Sequence, residues 1–119
     1  WPTIFPTSCI SFRRNFFKKF IKNLKKTNYP NLEIDARLTI FSNFFNNEYN
    51  LLNKQLTYYA YDENGITANK KKFSRLWWIR RDEAYKYLKF IMKKKQIIFK
   101  DSLDYYITLS ISYIFKICK

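Results

Sequence analysis

Cationic side chains are the groups on this 119-residue chain that could do chemistry, and they come in blocks. Arg13, Arg14, Lys18, Lys19, Lys22, Lys25 and Lys26 form the first, Lys70, Lys71, Lys72, Arg75, Arg80 and Arg81 the second, and Lys93, Lys94 and Lys95 a third. Blocks of this kind neutralise phosphates and release condensed counterions, which gives an attachment that weakens steeply with salt. Arginine adds a planar fork that takes two phosphate oxygens at once or stacks on a base. Arg75, Arg80 and Arg81 are therefore expected to position the chain more sharply than the lysines do. Asp82 and Glu83 offer Arg80 and Arg81 an alternative pairing on the protein surface. Trp77 and Trp78 point about 100° apart on a helix and cannot share one core. One is expected inside; the other, with Trp78 as the candidate, either lies over ribose or base or, as is more frequent for tryptophan, packs half-buried on a neighbouring helix.

Other chemistries lack their reagents. There are 23 Lys and Arg against nine Asp and Glu, no His, and a net charge of +14. General acid-base catalysis would have to draw on scattered carboxylates and two thiols, Cys9 and Cys118, at opposite ends of the chain. An enzyme is not expected, nor a metal, nor a cofactor: zinc would find no ligand set, and a single glycine cannot build a phosphate-cradling loop. Free thiols fit a reducing compartment. Such an excess of positive charge calls for a polyanion, first nucleic acid, then an anionic membrane face. Lys, Asn, Ile, Phe and Tyr make up more than half of the chain, and all five can be spelled with A and T. That bias reads as the imprint of an AT-rich genome such as an organelle's.

The elements that must hold these groups are helical. Phe16, Phe17, Phe20, Ile21 and Leu24 recur at helical spacing among the cations of the first block, which predicts a basic amphipathic helix over 13–26, ended by Tyr29, Pro30 and Asn31. Apolar residues three or four apart predict a second helix over 34–62, weakened by its many asparagines. Asn64 and Gly65 mark a break, and a strongly basic helix is expected over 68–87. The tail is locally strand-like: Ile107, Leu109, Ile111, Tyr113 and Phe115 alternate with Thr108, Ser110 and Ser112. Its apolar run is too short to span a bilayer. The core of the C-terminal part, from 84 on, is assigned to Phe90, Ile91, Ile97, Ile98, Leu103, Tyr106 and Ile107.

Tyr59-Ala60-Tyr61, then Lys70-Lys71-Lys72, then Phe73-Ser74-Arg75-Leu76-Trp77-Trp78-Ile79-Arg80-Arg81 resembles the bacterial-type large-subunit ribosomal protein twenty, the L-twenty family. That family carries Tyr-Ala-Tyr, a run dense in Arg and Lys, and a Phe-x-x-Leu-Trp-Ile-x-Arg box along one long helix. Tyr87-Leu88-Lys89-Phe90-Ile91 with Lys93, Lys94 and Lys95 is similar to the start and end of its next helix, so order and spacing match over 56–100. This chain departs by two extra residues and the Asp62-Glu63 pair before Phe73, by Ser74 where a basic residue is usual, and by the doubled tryptophan.

The resemblance implies an all-α protein in three parts, an extended basic N-terminal arm over 1–33, a long helix laid along RNA over 34–83, bent or broken near Asn64 and Gly65, and a small C-terminal helical globule over 84–119, which for the tail overrules the alternation. It implies large-subunit rRNA and neighbouring ribosomal proteins, protein twenty-one among them, as partners, with no membrane and no homo-oligomer. Composition with a bacterial-type family points to a mitochondrion, or to a plastid. No transit peptide is evident, since residues 1–10 lack arginine. Two other readings fit the composition: a membrane-surface protein lying on the helix over 13–26, and a protein–protein scaffold whose aromatic surplus is contact surface.

Overall fold

The computed structural model describes residues 10–24, 29–45 and 71–118. Among them the protein is all-α, with four helices and no strand: α1 (Arg14–Asn23), α2 (Ile34–Phe45), α3 (Arg75–Lys94) and α4 (Leu103–Ile117).

α1 forms where the three-and-four spacing of phenylalanines requires it, and its inward side carries Phe20, fully buried, with Phe16 beside it. Phe41 of α2 receives both rings, at centroid distances of 5.6 Å from Phe16 and 5.4 Å from Phe20. The helix stops at Leu24, whose backbone is extended. The chain then turns at residues 29–32, where Pro30 and Asn31 were expected to punctuate it. Arg37 of α2 ties that turn down: its Nε donates to the Leu32 carbonyl at 3.0 Å and its second nitrogen to the Tyr29 carbonyl. A buried guanidinium is tolerable because backbone carbonyls satisfy it. Glu83 of α3 grips the same turn, accepting from the Asn31 backbone and side-chain nitrogens at 2.8 Å each.

α3 begins later than the charge pattern suggests. Instead of starting near 68, it opens at Arg75, with Ser74 as its cap accepting from the Trp77 amide at 3.3 Å. Phe73, at φ 63°, sits in the left-handed region just before it. A serine oxygen that satisfies an orphan amide, next to a residue out of helical geometry, outweighs the helix preference of the preceding lysines. Ser74, a departure from the pattern that the sequence resembles, is thus the residue that starts the helix. α3 then runs unbroken through 83 and 84 and takes in the stretch expected as a separate following helix. It ends in a double-bonded turn: the Ile97 amide donates to the Met92 carbonyl at 2.9 Å and the Gln96 amide to that of Lys93 at 3.1 Å. Gln96, at φ 57°, takes the left-handed position usually given to glycine.

The tail is helical. Thr108 and Ser112, four apart, fall together on the side toward α3 and are each 1% exposed, so two of the three polar residues of the strand-like alternation line one face of a helix. Their hydroxyls are satisfied locally, Thr108 donating to the Asp104 carbonyl at 2.8 Å and Ser112 to that of Leu109 at 3.2 Å. This register corrects the assigned core. Ile91 is fully buried and Phe90 partly so, but Ile97, Ile98, Leu103, Tyr106 and Ile107 are exposed, Ile98 by 86%. The hydrophobic centre lies instead between α1, the turn at 29–32, α2 and one side of α3, around Phe20, Phe41, Tyr87 and Ile91.

Candidate nucleic-acid interface

α1 is anchored through its phenylalanines, so its cations have to face elsewhere. Arg13, Arg14, Lys18, Lys19 and Lys22 are all exposed, and none has an ion-pair partner among the described residues. Lys25, Lys26 and Lys70 lie outside the described residues, as do Tyr59 and Tyr61. Phe12 and Phe17 stack at 4.7 Å and stay exposed beside Arg13 and Lys18. An exposed ring pair amid cations is a surface on which bases or riboses can rest.

The entry to α3 repeats that mixture. Lys71 and Lys72 are exposed in the turn rather than on the helix, and Arg75 is exposed on its first turn. Phe73, 68% exposed, lies 5.1 Å from Trp77 and 6.2 Å from Trp78, and the two tryptophans meet edge to face at 4.7 Å. Both tryptophans are half-buried, so neither is fully committed to a core. The left-handed Phe73 holds its ring against the pair. The structure thereby brings Lys71, Lys72, Arg75 and Trp78 into one basic and aromatic patch.

Arg80 and Arg81 are drawn into the fold. Arg80 forms an ion pair with Glu33, its Nε donating at 3.1 Å, and so joins α3 to the residue before α2. Arg81 lies over the Trp77 ring at 5.0 Å, donates to the Thr108 hydroxyl at 3.1 Å and pairs with Asp104 at 2.5 Å. Their partners are Glu33 and Asp104, not the adjacent Asp82 and Glu83. Asp82 is 2% exposed and accepts from both Lys86 and Lys116 at 2.7 Å. Burial alone would push its carboxyl up, but the hydrogen bonds from Lys116 and Lys86 outweigh that and hold it below the usual carboxylate range. The Asp104 carboxyl is also held low, chiefly by the hydroxyl that Tyr85 donates to it and by Arg81.

The third lysine block becomes part of the surface only through the fold. Lys94 donates to the side-chain oxygen of Asn23, and Lys95 stands over the Phe45 ring at 4.1 Å. The end of α3 therefore adjoins the ends of α1 and α2, and exposed Lys93, Lys94 and Lys95 extend the cationic edge that Lys19 and Lys22 begin. The sequence shows these lysines as a cluster, but 71 residues separate Lys94 from Asn23, and no local signal joins them.

Among the described residues no cluster of His, Cys, Asp and Glu could hold a metal ion, and no helix is long and apolar enough to cross a membrane. Set against protein-family models, curated proteins and solved structures, the chain finds no match.

Proposed function

We propose that this chain is a structural rRNA-binding protein of an organellar, mitochondrial large ribosomal subunit, a member of the L-twenty family that supports subunit assembly. The observation that carries the reading is the exposed patch of Lys71, Lys72, Arg75, Phe73 and Trp78 at the start of α3, within the segment that resembles the family's box. Cations there take phosphates, and the rings offer stacking to any unpaired base. The exposed face of α1 supplies the same chemistry over Arg13, Arg14, Lys18, Lys19 and Lys22. Recognition would run through phosphate spacing and backbone shape, since rigid helices presenting cations carry no base-edge code. Large-subunit rRNA is the principal partner, with neighbouring large-subunit proteins, protein twenty-one among them, beside it in the mitochondrial matrix.

Arg80 and Arg81 hold α2 and α4 to α3, so the test avoids them. Lys71→Ala, Lys72→Ala and Arg75→Ala combined are expected to leave helix content unchanged and to lower incorporation into the particle. With a large-subunit rRNA fragment, the slope of log affinity against log salt should fall by about 2 to 3, one contact for each cation removed. Unchanged slope and normal incorporation would remove this patch from the interface. A wild-type chain that binds anionic vesicles but no rRNA would overturn the reading altogether.

A further inference from the structure

α4 is inverted relative to an ordinary amphipathic helix. Its most deeply buried residues are polar, Thr108 and Ser112, with Asp104 and Lys116 bonded to α3 and Tyr105, Ile111 and Phe115 half-buried. Its outer side carries Leu103, Tyr106, Ile107, Tyr113, Ile114 and Ile117, between 44% and 78% exposed. With Ser110 these positions recur at alternating intervals of three and four, the spacing of a helix–helix seam, and no charge interrupts them. Six such side chains present on the order of 700 Å² of apolar surface, above the roughly 300–600 Å² of a typical monomer's largest patch and close to the ~800 Å² that each partner gives a standard interface.

We propose that the chain, when free of its particle, pairs with a second copy of itself through α4 in antiparallel orientation. The seam's own symmetry selects this occupant, because it reads nearly the same in both directions about Ser110. An antiparallel copy sets Leu103 opposite Ile117, Tyr106 opposite Ile114, and Ile107 opposite Tyr113. Every large side chain then meets a large apolar partner, and the small serine meets itself at the two-fold axis, where the backbones can approach. The arrangement also lays the positive N-terminal end of each helix beside the negative C-terminal end of the other.

The net charge of +14 on each copy opposes pairing. The seam itself is uncharged, however, Lys116 beside it is held against Asp82, and physiological salt screens exposed charges more than ~8 Å apart. An anionic bilayer suits the face less well, because Asp101 and Asp104 stand at the head of the helix. The expectation of no homo-oligomer is kept for the particle-bound chain; the free chain is where the seam needs cover.

Sedimentation of the purified full-length chain over a micromolar concentration series, at about 0.3 M salt to suppress charge repulsion, reads the mass directly. A dimer is expected, and Ile107→Glu with Ile114→Glu should convert it to monomer with unchanged far-UV helix content and unchanged rRNA affinity. The register has its own test. With Cys9→Ser and Cys118→Ser in place, Ser110→Cys should cross-link to its own copy on oxidation, because only the axis brings identical residues within disulfide reach. The otherwise native chain should not link Cys118 to Cys118, since those thiols would lie on the order of 24 Å apart. A monomer at every concentration, a dimer indifferent to the two glutamates, or a monomer that floats with phosphatidylglycerol vesicles would each overturn the proposal.

Discussion

The two sides of α3 are held by different physics. Toward α1 and α2 it presents Ala84, Tyr87 and Ile91 to a cluster of rings, with Tyr29 edge-on to Tyr87 at 5.5 Å. Toward α4 it presents Arg81, Tyr85, Lys89 and Asp82, and the contact is built from ion pairs, hydroxyls and cations over rings. Lys89, for one, lies 3.9 Å from the Tyr105 centroid while pairing with Asp101. Burial is indifferent to small shifts and to salt. Charge pairing is directional and screened, so the α4 side should specify orientation while the α1–α2 side supplies most of the stability.

Phe41→Ala strikes the first side hardest. Removing a fully buried ring that three other phenylalanines pack against should cost about 3–5 kcal/mol, read as a fall in the denaturant midpoint with loss of near-UV signal. On the other side, Lys86→Met with Lys116→Met strips buried Asp82 of both its charged hydrogen-bond donors, an expected loss of ~2–3 kcal/mol. Faster amide exchange confined to α4 would place that loss at its ionic contact. An equal effect of the two changes on all four helices would dissolve the distinction between the sides.

Smaller effects sharpen the contrast. The buried Tyr87 hydroxyl has no hydrogen-bond partner among the described residues, so Tyr87→Phe should stabilise by about 1 kcal/mol in chemical denaturation. Burial pushes that phenol up to about 12, so between pH 10 and 12 the unfolded chain loses the proton first and stability falls as pH rises. Burial raises Tyr29 and Tyr85 in the same direction, and Tyr87→Phe should flatten the decline without abolishing it. Gln96→Gly, relieving the left-handed residue after α3, should add ~0.5–1 kcal/mol, visible as a small rise in the thermal midpoint.

Helix content was legible because phenylalanine spacing in α1 and the Pro30 stop are local signals. The sides of α4 were not, because its register depends on where Arg81 and Asp82 stand, and those are partners from another helix. Ile97, Ile98 and Leu103 therefore looked like core and lie outside. The start of α3 was hidden by reading Ser74 as a gap in a basic run when it is a cap. For the interface, the lysine blocks were plain in composition. What the sequence could not disclose was which cations the fold would spend internally, since Glu33 and Asp104 are distant from Arg80 and Arg81 along the chain.

Phe73 and Gln96, both in left-handed geometry and neither a glycine, fence α3 at its two ends. The rod can lengthen at either end only if one of these residues changes its backbone conformation. Its 20 residues hold Lys71 and Lys72 roughly 30 Å away from Lys93, Lys94 and Lys95. A polyanion that engages both lysine clusters, as the proposed function requires of the rRNA, has to offer charge at that separation, like an object spanned by a calliper.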